Sequence, residues 1–252
     1  MRLARALSDV EARKVQTFVL LGGVFTTLTI WTKLEDPINL PKMFMLVLFA
    51  AIALGLVIPA LLSAPKLSSS NQKIAIYLVS FFAVGLVITT AMTDVTYTAI
   101  YGEYQRNNGF LSYLAMVILM VSGSLVFTLK SAHRYFKFYG IAGVALTFYG
   151  ILQALGKDPV GWKIDYNPLI TTLGNPNFAS AFMGMLFSGL FPYVIAQESH
   201  RKTRFAALLL CVGLTILIIR SDSQQGILLV IAGFFLSLIA FSRFKLRMRN
   251  AT

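Results

Sequence analysis

The sequence has little charge and almost no cysteine or histidine. Asp, Glu, Lys and Arg make up 13% of its 252 residues, about half the fraction usual in a water-soluble domain. The lone cysteine, Cys211, lies in an apolar run, which excludes a disulfide within the chain and argues against a thiolate metal site. Internal repeats, low-complexity linkers and the strict two-residue alternation of a transmembrane barrel are all missing. A basic start is followed by an apolar segment, but no small-residue cleavage site follows, so a signal peptide is not expected.

What the chain does have is apolar surface. Hydrophobic residues make up 57% of it and the mean hydropathy is +0.73. A soluble body of this size cannot bury that much, whereas lipid can cover it. The net charge of +12 would suit nucleic acid, but the basic residues fall in short clusters between apolar runs. Such clustering is the pattern of membrane topology, and no nucleic-acid partner is expected.

Eight runs are long enough, or nearly so, to be spans: Val15–Trp31, Met43–Ser63, Ile74–Met92, Gly109–Leu129, Tyr135–Leu155, Phe178–Ala196, Phe205–Ile219 and Gly226–Phe241. About 20 residues cross the hydrocarbon. The first, seventh and eighth runs are shorter and need completion by flanking residues, tilt or snorkelling side chains. With the N-terminus inside, 16 of the 22 basic residues and three of the ten acidic ones are cytoplasmic, an inner balance of +13 against −1 outside. The expected fold is therefore all-α. It is a single polytopic transmembrane helix bundle over residues 1–252, with about eight spans and both ends in the cytoplasm. Ser63–Asn71, with Pro65, reads as a cytoplasmic connection.

Two external connections, Thr93–Asn108 and Gly156–Asn177, are longer than turns. Their aromatics, Tyr97, Tyr101, Tyr104, Trp162 and Tyr166, suit the headgroup level and form either an aromatic belt or part of a site. Within the first, Arg106 carries a donor fork matched to phosphate oxygens, while Asn107 and Asn108 offer bonds to hydroxyls. The plainer reading is an Arg106–Glu103 pair in a wet loop. Within the second, Gly174-Asn175-Pro176-Asn177 starts a helix: proline suits the first turn and either asparagine is a cap. Free amides there would also favour a lipid-linked diphosphate or its sugar. Arg220-Ser221-Asp222-Ser223-Gln224-Gln225-Gly226 is a tight external turn, in which Asp222 caps the next helix, pairs with Arg220 or joins a site. Gln153, late in the fifth run, either ties helices together or faces the same external cavity.

Three of these segments together resemble the O-antigen ligase and polymerase superfamily of polytopic envelope proteins. Leu173-Gly174-Asn175-Pro176-Asn177-Phe178-Ala179-Ser180-Ala181 is similar to that family's Gly-Asn-Pro-Asn segment. The stretch from Tyr101-Gly102 to Arg106-Asn107-Asn108-Gly109-Phe110-Leu111 looks like its earlier Gly…Arg…Gly-Leu motif. Ser221-Asp222-Ser223-Gln224-Gln225-Gly226 resembles its later Ser-Arg-Gly turn, with Gln225 where arginine often stands.

The resemblance implies a bacterial inner-membrane glycosyltransferase working without metal or cofactor on a glycan carried by undecaprenyl diphosphate. Arg106, Asn107, Asn108, Asn175, Asn177, Arg220 and Gln225 would bind that substrate, alongside membrane lipid. Family members usually have more spans and a large late external loop with a histidine base. His133 and His200 both fall on the cytoplasmic side here, so no catalytic residue is assigned. The chain then corresponds to the family's N-terminal, donor-side part, with the late loop supplied from elsewhere, for example by a second membrane chain. Two other readings fit the same architecture: a small-solute transporter, and an accessory membrane scaffold.

Overall fold

The computed structural model describes residues 7–62, 70–162, 169–196 and 200–249. They form α1 (Asp9–Leu28), α2 (Asn39–Leu62), α3 (Ser70–Ala91), a short α4 (Thr96–Tyr101), α5 (Phe110–Val126), α6 (Ala132–Ala154), α7 (Pro176–Ile195), α8 (Arg201–Arg220) and α9 (Gln224–Arg249). No strand occurs among the described residues. Each of the eight apolar runs has its own long helix. Five helices (α2, α6, α7, α8 and α9) are long and apolar enough to cross a membrane, and α3 and α5 carry shorter apolar stretches. Side chains such as Phe81, Phe148 and Leu228 stand exposed along them. In lipid such exposure costs nothing, because the solvent is as apolar as the side chain. The chain is a multi-pass helical membrane protein.

The helix ends differ from the apolar runs for local reasons. α1 begins at Asp9, six residues before Val15, because Ser8 and Glu11 form a capping box. The Ser8 hydroxyl accepts from the Glu11 amide, and Glu11 accepts from the Ser8 amide at 2.8 Å. Two orphan donors are satisfied reciprocally. α8 and α9 likewise extend into their basic flanks, reaching 20 and 26 residues. Lysine and arginine are good helix formers, so the helix continues where the apolar run stops. Of the Ser63–Asn71 connection, residues 63–69 lie outside the described residues, as does Tyr166, while Ser70 and Asn71 open α3.

The chain divides into two compact units, Met1–Phe138 and Tyr139–Thr252. In the first, α1, α2 and α5 pack on one another around Val15, Val57 and Val126. Gly22 lets α1 approach α2 closely, since a Cβ there would stand 2.9 Å from the Phe49 Cβ. At one end Gln16 donates to the Val126 carbonyl at 2.7 Å and Arg134 Nη2 donates to Thr17 Oγ1 at 2.6 Å. At the other end Lys42 Nζ donates to the Thr26 and Thr27 carbonyls at 2.8 and 2.7 Å, satisfying the last turn of α1.

In the second unit α7 is central, packed on α8 and most extensively on α9. Ser180, Gly184 and Ser188 repeat every fourth residue along α7 and meet Gly226, Leu229 and Gly233 of α9. A Cβ on Gly184 would lie 2.7 Å from the Leu229 Cβ, and one on Gly226 or Gly233 would collide with Ser180 or Ser188. Ser180 Oγ accepts from the Gly226 amide at 2.9 Å, and Ser188 Oγ stands 3.0 Å from the Leu229 carbonyl. Small residues and hydroxyls replace the hydrophobic effect as the source of association, as they must between helices in lipid.

Candidate functional site in two loop-bearing ends

In the first unit the Tyr101–Gly109 loop closes on itself. Gly102, at φ +95°, and Gly109 lie against each other's backbone, so a Cβ on either would collide with the other strand of the loop. Only glycine fits both positions. Their closure leaves Arg106 at the loop's exposed rim, where its guanidinium pairs with Glu103 at 3.2 Å. Both side chains are more than 60% exposed, so the pair contributes little to stability and opens at little cost. The plainer reading of Arg106 is thus what the geometry presents.

Asn107 does something that sequence reading did not foresee. Its amide donates to Asp36 Oδ2 at 2.8 Å, and Asp36 Oδ1 accepts from the Asn39 and Ile38 backbone amides at 2.8 and 3.2 Å. Asp36 is buried and anchors the start of α2. Asn39 returns a bond from its side-chain amide to the Gln105 carbonyl at 2.5 Å. Beside this anchor Tyr104 OH donates to Glu35 Oε1 at 2.6 Å, and this bond raises the Tyr104 phenol above its ordinary range. A cavity of about 320 Å³ opens between these groups, with Tyr97 and Tyr101 on its wall. Glu35 and Asp36 carry no motif and are separated from the loop by about 70 residues, so nothing local in the sequence pointed to them. Asn108 is exposed and takes no part in the anchor.

In the second unit the Gly174-Asn175-Pro176-Asn177 segment makes the helix start read from its residues. Gly174 is left-handed at φ +75°, Asn175 Oδ1 accepts from the Asn177 amide at 2.8 Å, and Pro176 fills the first turn. The Asn175 carbonyl takes the Ala179 amide. Capping therefore uses the donors that were to be free for an anion, leaving at most the Phe178 amide. Asn175 thus caps the helix, and Asn177 is exposed. Three residues beyond Asn177, Ser180 Oγ lies between the Gly226 amide and, at 3.4 Å, the Ser223 carbonyl. Two of the family-like segments thus meet in one place. Arg220 closes α8 beside them, exposed, as are Asp222 and Gln225.

Gln153 has a role other than tying helices. It is 2% exposed; its amide donates to Asp158 Oδ2 at 2.8 Å and its oxygen accepts from the Thr171 backbone amide at 2.7 Å. Asp158 Oδ1 also accepts from Tyr149 OH at 2.9 Å, and Trp162 Nε1 donates to that same hydroxyl at 2.8 Å. Trp162 is therefore fixed in a polar chain. The network pins both ends of the long connection to the end of α6.

The histidines stand at the far ends of their elements. His133 Nδ1 lies 3.0 Å from the Lys130 carbonyl, beyond the full length of α5 from the Arg106 loop, about 25 Å of helix. His200 precedes α8, at the opposite end from Arg220. Neither joins the loop residues, and no cluster of three metal-ligating side chains occurs among the described residues.

One backbone feature links the three segments. Four described non-glycine residues have positive φ: Gln105 (60°), Asn107 (51°), Thr171 (51°) and Asp222 (54°). All fall within the three family-like segments or two residues before one. Asparagine and aspartate tolerate this conformation, whereas glutamine and above all β-branched threonine do so at a cost. Comparison of the chain with family models, curated proteins and solved structures finds no match.

Proposed function

We propose that this protein is a module of an envelope-polysaccharide ligase or polymerase. In this reading it lies in the bacterial inner membrane with eight spans, both ends cytoplasmic, and meets a polyprenyl-diphosphate-linked glycan at the external face. The observation that carries the reading is the coincidence of left-handed, non-glycine backbone with two of the family-like segments and with a position two residues before the third. Strained backbone persists where the surroundings over-determine it, and such places cluster at binding and catalytic sites.

The seven residues divide by exposure and by role. Asn107 and Asn175 are occupied, one holding Asp36 and the other capping α7, so they position the loops. Arg106, Asn108, Asn177, Arg220 and Gln225 are exposed and would meet the ligand. The reaction transfers the glycan: the acceptor hydroxyl oxygen bonds to the anomeric carbon, the bond from that carbon to the diphosphate oxygen breaks, and the hydroxyl proton passes to a base. Charge grows on the departing diphosphate, so a fixed guanidinium stabilises the transition state more than the ground state. No described residue is assigned as the base, which a second membrane chain would supply.

Titration of the purified chain with a polyprenyl-diphosphate glycan tests the proposal. Saturable binding that weakens at least several-fold in Arg106→Ala is expected. Absence of saturable binding to the intact chain would remove the donor site altogether, and equal binding by the variant would remove only the role of Arg106.

A further inference from the structure

We propose that the cavity between Glu35–Asp36 and the Tyr101–Gly109 loop binds an organic ammonium group, primary or quaternary. Its lining combines two carboxylates with three tyrosines and contains no lysine or arginine. The Tyr97 and Tyr101 rings stand with centroids 4.9 Å apart and tilted by 39°, forming two walls that do not lie flat on each other. Tyr104, fixed through its hydroxyl to Glu35, supplies a third ring. The negative faces of such rings attract a cation, and the attraction adds to that of the carboxylates.

Charge and satisfaction rule out the other ligand classes. An anion such as diphosphate would face two carboxylates without a counter-charge, so the cavity does not belong to the Arg106 rim. A bare metal ion needs oxygen lone pairs in its inner shell. Both Asp36 oxygens already accept hydrogen bonds from amides, and tyrosine rings offer a hard cation little. A purely apolar guest would desolvate Glu35 without compensation. A soft, weakly hydrated ammonium meets all of these walls at once, and about 320 Å³ suffices for a group of the size of choline or ethanolamine. This inference needs neither Arg106 nor any residue of the second unit, and it stands apart from the transferase reading.

The ammonium has two sources, a lipid headgroup or a soluble amine, and the test separates them. The full chain would be titrated calorimetrically with choline, and with its neutral tert-butyl isostere, in nanodiscs of phosphatidylglycerol alone. Saturable binding of choline but not of the isostere is expected, weakened roughly three- to tenfold in Glu35→Gln and lost or similarly weakened in Tyr101→Leu. Glu35 is exposed, so the first variant keeps its fold. Repeating the titration with phosphatidylethanolamine in the discs identifies the source. Suppressed choline binding assigns the cavity to the lipid headgroup, and unchanged binding assigns it to a soluble amine. No saturable choline binding, equal affinity for the isostere, or affinity unchanged in both variants would each overturn the proposal.

Discussion

At the scale of single residues, the two loop-bearing ends are held by a few groups whose substitution has calculable consequences. Gly102 has both a positive φ and no room for a methyl group. Gly102→Ala should cost about 1–3 kcal/mol locally and open the loop, read as faster hydrogen exchange at the Arg106 and Asn107 amides, which donate to the Glu103 carbonyl. Tyr104 gives a pH signature. Its bond to the Glu35 carboxylate requires the phenol proton, and the raised pKa means that the bond is intact below the ordinary tyrosine range and lost as pH climbs through the raised value. A phenolate absorbance titration should therefore lose the amplitude of one late-ionising tyrosine in Tyr104→Phe. Gly102 and Gly109 stood out in the sequence only as parts of a family-like stretch, and their close approach is a fact of the folded loop. Asp36 did not stand out. Its importance comes from Asn107, 71 positions away, and only the packing of α1, α2 and α5 brings the two together.

At the scale of elements, every long helix was visible as an apolar run, but its ends were not. Hydropathy marks the part of a helix that lipid covers, whereas a helix ends where its backbone groups find other partners. Ser8 and Glu11 show the difference: two polar residues outside the run set the start of α1. The α7–α9 seam was also present in the sequence as Ser180, Gly184 and Ser188, yet periodicity alone does not tell a contact stripe from ordinary small residues. Gly184→Leu should force the two helices apart at a cost of about 1–3 kcal/mol, measured by detergent-driven unfolding, with Gly189→Leu as the control, because nothing stands near that position. Gln153 makes a sharper case. Gln153→Leu keeps the bulk but strands the Thr171 amide and one Asp158 oxygen, which should cost about 1–3 kcal/mol. The connection should then become susceptible to protease while α6 and α7 keep their helicity.

At the scale of the molecule, two compact units each present one loop-bearing end, and the direction of the chain through the membrane decides what those ends meet. The proposed topology puts them outside. Cys211 is buried, so single cysteines introduced at Arg106 and Asn177 should label from the external side with an impermeant maleimide, and one at Lys130 only from the cytoplasmic side. Cytoplasmic labelling at Asn177 would reverse the second unit and remove the shared face on which the transferase proposal depends.

The hydroxyls of the α7–α9 seam bear on how the chain is made. A ribosome releases α7 well before α9, so α7 must rest in lipid without its partner. Ser188 Oγ lies 2.9 Å from the Gly184 carbonyl of its own helix as well as 3.0 Å from Leu229 of α9, so it has a partner throughout that wait. Ser180 Oγ has no such reserve: its bonds run to Gly226 and Ser223, which arrive with the final hairpin. The end of the unit that carries the Asn175 and Gln225 segments is therefore completed only when α9 arrives, and in a nascent chain halted before α9 Ser180 would be the seam hydroxyl left without its partners.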